Sequence, residues 1–106
     1  MSRGEELRLQ DILEAIDAIR GYLVEGKLDP RTNDAVLYNL VVIGEAAGQI
    51  SDETRGAAPE IAWSKVVGLR NLIAHEYFRV DIEIIESIVA EQFDDLEQAA
   101  RRLLEG

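Results

Sequence analysis

The chain has 106 residues, 47% of them apolar, which is enough for the core of one domain and too much for a disordered segment. With no cysteine and a single histidine, it offers neither disulfides nor the usual zinc sets, so no metal and no cofactor is expected. A formal net charge of −10 argues against a general nucleic-acid coat protein, since such a surface repels phosphate as a whole.

From Glu5 to Gly26 the apolar residues Leu9, Ile12, Leu13, Ile16, Ile19 and Leu23 recur at spacings of three and four with acids between them, which predicts an amphipathic helix. Gly26 ends it, and Asp29-Pro30 starts a second, because Asp caps helices well and Pro is favoured at the first helical position. That helix is expected over about Pro30 to Ile50. Its small residues Gly44, Ala46, Ala47 and Gly48 would admit a close neighbour.

Ser51 to Pro59 reads as a connection with a short helical turn around Asp52 to Arg55. A third long helix is expected from about Ile61 to His75, with Trp63 in the core, and a fourth from Asp81, its N-cap, to about Leu104. No strand pattern competes. Charges interrupt every apolar run, so no membrane span is expected. Met1 to Glu6 lack the basic start of a secretion signal, and a reducing cytoplasm is the expected compartment. The fold class is therefore all-α: residues 1–106 form one antiparallel bundle of four helices, or five with the short turn.

Residues 64–79 are the one net-positive stretch, three bases against one acid, and they contain His75. On a helix, Asn71 and His75 lie one turn apart, while Arg70 and Tyr77 share a second line about 100° to 140° away. The four groups would flank one broad groove, more so if the helix frays after His75 and Tyr77 swings towards it. Arg70 offers a rigid fork of donors for a phosphate and His75 titrates near neutral pH, a pair suited to phosphodiester chemistry without metal. RNA cleavage by its own 2′-hydroxyl needs both a base and an acid. A chain with one histidine is thus a natural candidate for a site shared by two copies.

Each of these residues also has a plainer use. His75 near a helix C-terminus favourably opposes the helix dipole. Arg70 would pair equally well with Glu45 or with an acid of the last helix, and Tyr77 would serve as a packing residue. Glu45, beside the small residues of the second helix, is either a partner of Arg70 or Asn71 or a surface acid.

Arg70-Asn71-Leu72-Ile73-Ala74-His75-Glu76-Tyr77 resembles the R-x4-H-x-Y signature of HepT-like HEPN proteins. Asn39 to Ala46 resembles that family's Ile-Gly-Glu-Ala helix, Ile61-Ala62-Trp63 its pre-motif tryptophan turn, and Tyr77 to Asp81 its step into the last helix. Glu86 stands where many relatives carry an aromatic residue. The resemblance implies a HEPN-type bundle forming a homodimer, whose motif Arg and His line a cleft that cuts RNA, with Arg70 and His75 as catalytic residues and Asn71 and Glu45 supporting them. It further implies a neighbouring MNT-type nucleotidyltransferase acting as antitoxin, with Tyr77 as the residue that receives AMP. The alternative function is a non-catalytic helical partner that positions such a nucleotidyltransferase.

Overall fold

The computed structural model describes residues 1–106, the side chain of Phe78 excepted. In chain order it consists of α1 (Arg3–Gly21), a two-stranded ribbon of β1 (Leu23–Val24) and β2 (Lys27–Leu28), a 3-10 turn (Pro30–Thr32), α2 (Asn33–Gly48), α3 (Asp52–Gly56), α4 (Trp63–Glu76), a second 3-10 turn (Tyr77–Arg79) and α5 (Ile82–Glu105). The chain is all-α apart from the ribbon, and none of its described helices is long and apolar enough to cross a membrane.

α1 begins at a reciprocal cap in which the Ser2 hydroxyl accepts from the Glu5 N–H and the Glu5 carboxylate accepts from the Ser2 N–H. It buries Leu9, Ile12, Ala15, Ile16 and Ile19, the expected stripe, with Leu13 half-buried. The helix ends at Gly21, five residues before Gly26. Beyond it the chain folds back on itself, pairing Leu23 with Leu28 and Val24 with Lys27. The turn residues Glu25 and Gly26 both have positive φ, 52° and 78°, the requirement of the two-residue turn whose twist matches antiparallel strands. The strand-free reading is thus corrected for these residues. The ribbon is pinned by Glu86 of α5, which accepts the Leu28 N–H at 2.8 Å and sits 3.8 Å from the Lys27 ammonium.

Asp29 accepts the Arg31 N–H and places Pro30 in the first turn as expected, but that turn is 3-10 and the α-helix proper starts at Asn33. α2 lies against α1 on one side and α4 on the other. α5 packs across α1, where Arg20 ion-pairs with Asp94 at 2.5 Å and Glu97 at 2.9 Å. Ile85, Phe93, Leu96, Ala99 and Ala100 of α5 close the core, and Asp81 caps the helix through the Glu83 N–H. The small-residue surface of α2 does admit a close neighbour at one point. A Cβ on Gly44 would meet the backbone and side chain of Arg70.

Candidate active site

α4 carries the candidate residues on the outer surface of the bundle. Its inner side buries Trp63, Val66, Leu69 and Ile73. The Trp63 indole N–H reaches the carbonyls of Arg55 at 3.2 Å and Ala58 at 3.0 Å, fastening the helix start to α3. This leaves Arg70, Asn71 and His75 facing solvent. The α-helix gives way to a 3-10 turn at Tyr77, the change anticipated after His75.

Arg70 ion-pairs through its Nε with the Glu45 carboxylate of α2, one of the two pairings open to it in the sequence. Both partners are about half exposed, 54% and 48%. Arg70 Nη1 also approaches Asn71 Oδ1 at 3.5 Å. Together with Gly44 and Gly48, these three residues line a shallow groove of about 330 Å³ on one flank of α4.

On the other flank the Tyr77 hydroxyl donates to Asp34 Oδ1 at 2.5 Å, clasping the end of α4 to the start of α2. By accepting that hydrogen bond, Asp34 raises the Tyr77 pKa above its ordinary 10.0, because ionising the phenol would break the bond and set two anions together. An open groove of about 570 Å³ runs along this flank from Asp34 and Tyr77 to Arg70, with Tyr38 as a second aromatic wall. Asp34 and Tyr38 were not singled out in the sequence. An acid and a tyrosine near a helix start are unremarkable until α4 is laid beside them.

His75 opens onto a further hollow of about 450 Å³ with Glu76, Tyr77 and Arg79. The four polar groups therefore do not flank one groove. Arg70 is shared by the first two hollows and Tyr77 by the last two, so guanidinium and imidazole sit on one helix but face different spaces. Arg70 remains placed to bind an anion and His75 to exchange protons with solvent or ligand.

Residues 12–103 match the family described as Ribonuclease HepT-like. The chain is 32% identical over 108 residues to "Probable ribonuclease HepT" of Thermococcus cleftensis, covering 97% of this chain and 98% of that one. It is 29% identical to "Putative RNase TTE0752" of Caldanaerobacter subterraneus subsp. tengcongensis, over 92% and 88% of the two chains. With "Putative RNase MJ1380" of Methanocaldococcus jannaschii it shares 33% identity over 78% and 81%. No solved structure matches significantly. With its family matched from the third turn of α1 almost to the end of α5, and with Arg70 and His75 of its R-x4-H-x-Y motif exposed on α4 and Tyr77 in the turn that follows, the chain belongs to the HepT-like ribonuclease family.

Proposed function

We propose that the protein is an endoribonuclease that works as a homodimer, with Arg70 and His75 as its catalytic residues. The observation that carries this reading is the exposure of both side chains on α4, facing adjoining hollows, in a chain whose family and relatives are named for ribonuclease activity. Arg70 stabilises charge developing on the scissile phosphate. A neutral His75 takes the proton of the RNA 2′-hydroxyl as its oxygen bonds to phosphorus, while the partner's His75, protonated, supplies a proton to the departing 5′ oxygen. The products are a 2′,3′-cyclic phosphate and a 5′-hydroxyl. Asn71 and Glu45 hold Arg70 in position, and no step requires a metal.

In the same proposal the chain is the toxin of a toxin–antitoxin pair, acts in the cytoplasm and is neutralised by an MNT-type nucleotidyltransferase. Transfer of AMP to the Tyr77 oxygen would set a bulky, charged nucleotide where the groove that runs to Arg70 adjoins the hollow of His75, obstructing both. Tyr77 is 41% exposed, consistent with access by a modifying enzyme. The test is to incubate wild type and His75→Ala with end-labelled structured RNA in excess chelator. Wild-type cutting with cyclic-phosphate ends, absent in the variant, is the expected result. Equal inactivity of both proteins across several RNAs, with tight binding to a nucleotidyltransferase, would replace this reading by the non-catalytic one.

A further inference from the structure

The groove between α2 and α4 is made of two matching rows. Asp34, Leu37, Tyr38 and Val41 of α2 face Arg70, Ile73 and Ala74 of α4 and Tyr77 of the turn that continues it, each row at the i, i+3, i+4, i+7 spacing of one helix face. The two helices run antiparallel, so the acid of one row meets the tyrosine of the other and Arg70 lies at the opposite end. The groove thus has an apolar floor, an aromatic side chain on each wall, a cation at one end and a carboxylate at the other. Its volume of about 570 Å³ falls within the roughly 300–1,000 Å³ usual for small-molecule sites.

We propose that this groove is a base-reading subsite that selects guanine in single-stranded RNA next to the phosphate held by Arg70. The inference rests on the ribonuclease reading and adds a sequence preference to it. Tyr38, 67% exposed, and Tyr77, 41% exposed, present rings on which an unstacked base can lie, the usual means by which proteins hold single-stranded RNA. Asp34 selects among the bases. A carboxylate only accepts hydrogen bonds, and guanine alone presents two adjacent donors, N1–H and N2–H, on its Watson–Crick edge. Adenine and cytosine each set one amino group beside a ring nitrogen whose lone pair would face the carboxylate. Uracil offers one N–H between two carbonyls.

The Tyr77 hydroxyl bound to Asp34 Oδ1 orients the carboxylate for this contact. Arg70 of α4 and Tyr77 just past its end are seven residues apart, about 10 Å along the helix axis, so one nucleotide can place its phosphate at the cation and its base edge at the acid.

Binding and cutting are separable in the test. Deoxytrinucleotides TGT, TAT, TCT and TTT lack the 2′-hydroxyl and cannot be cleaved by 2′ attack, so their affinities are measured by amide chemical-shift titration of wild type, Asp34→Asn, Tyr38→Ala and Tyr38→Phe. The expected result is TGT binding at least about fivefold tighter than the others, with shifts at Asp34, Tyr38 and Ala74. Asp34→Asn should remove the preference while keeping a wild-type amide spectrum. Tyr38→Ala should weaken all four ligands and Tyr38→Phe should restore them. Equal affinities in wild type, no binding, or a guanine preference that survives Asp34→Asn would overturn the proposal. Cleavage of a random RNA pool separates the two ideas: a guanine preference in the titration without any cutting defeats the ribonuclease reading alone, and cutting without base preference defeats the subsite alone.

Discussion

Gly44 of α2 lies so close to Arg70 of α4 that a Cβ built on the glycine would stand 2.7 Å from the Arg70 backbone nitrogen and 3.1 Å from its Cβ. The helix crossing that presents the guanidinium therefore depends on a missing side chain. Gly44→Ala should destabilise the protein by about 1–3 kcal/mol through overpacking and lower RNA cleavage by displacing Arg70. Gly48→Ala, whose Cβ would meet only Val67 Cγ1 at 3.9 Å, should be neutral or stabilising by up to about 1 kcal/mol. Urea unfolding of the two variants checks the contrast.

The His75 side chain is exposed and, among the described residues, makes no hydrogen bond or ion pair. His75→Ala should leave stability within about 0.5 kcal/mol of wild type while abolishing cleavage. A folded, dimeric variant that still cuts would remove His75 from the chemistry.

The Tyr77 phenol should ionise above 10, because its O–H donates a hydrogen bond to the Asp34 carboxylate. The stability this bond gives is present while the tyrosine keeps its proton and is lost as pH rises through the raised pKa. Absorbance titration should show one tyrosine ionising late, and in Asp34→Asn that step should move down towards the other two.

Glu5 joins two distant parts of the chain: besides capping α1, it accepts the Ser51 N–H at 2.7 Å beyond the end of α2. Hydrogen bonding from the Ser51 side chain, then from the backbone N–H groups of Ser51 and Ser2, lowers its pKa from 4.5 to about 2. Its contribution to stability is complete above pH 4.5 and is lost as pH falls towards 2. The melting-temperature gap between wild type and Glu5→Gln should be constant from neutral pH to about 4.5 and close below it.

Glu45→Gln removes the anion beside Arg70. Because the pair is exposed, stability should change by less than about 1 kcal/mol, and the KM for RNA should rise by no more than about fivefold as Arg70 loses its positioning. Arg70→Ala should abolish turnover. Kinetics on a single oligonucleotide substrate would resolve the two.

The long helices were legible because each buries a stripe at helical spacing, as Leu9, Ile12, Ile16 and Ile19 do, and because Asp29 and Asp81 mark their starts. The ribbon was not. Two-residue strands carry no period, Leu23 continues the α1 stripe by spacing alone, and the positive φ of Glu25 has no sequence signal in an acid. At the site, the residues of α4 were legible because they stand together in the chain, and Glu45 because it sits beside the small residues of α2. Asp34 and Tyr77, 43 positions apart, meet only through the angle at which α2 and α4 cross. Arg70 faces hollows walled by α2, whereas the hollow of His75 is lined only by the end of α4 and the turn after it, so the two face separate spaces where helical periodicity suggested one.

The pairing of Arg70 with Glu45 also determines how costly it is to recruit the arginine. A free arginine side chain samples many rotamers, and fixing it costs up to about 2 kcal/mol of entropy whenever a ligand is bound. Glu45 has already drawn the guanidinium out across α2. The exposed pair is itself worth at most about 1 kcal/mol, so an arriving phosphate meets a cation that is extended, desolvated on one side and cheap to release. Arg70 is parked there rather than locked, and Glu45 acts as a placeholder that keeps the fork open in the shape its substrate will need.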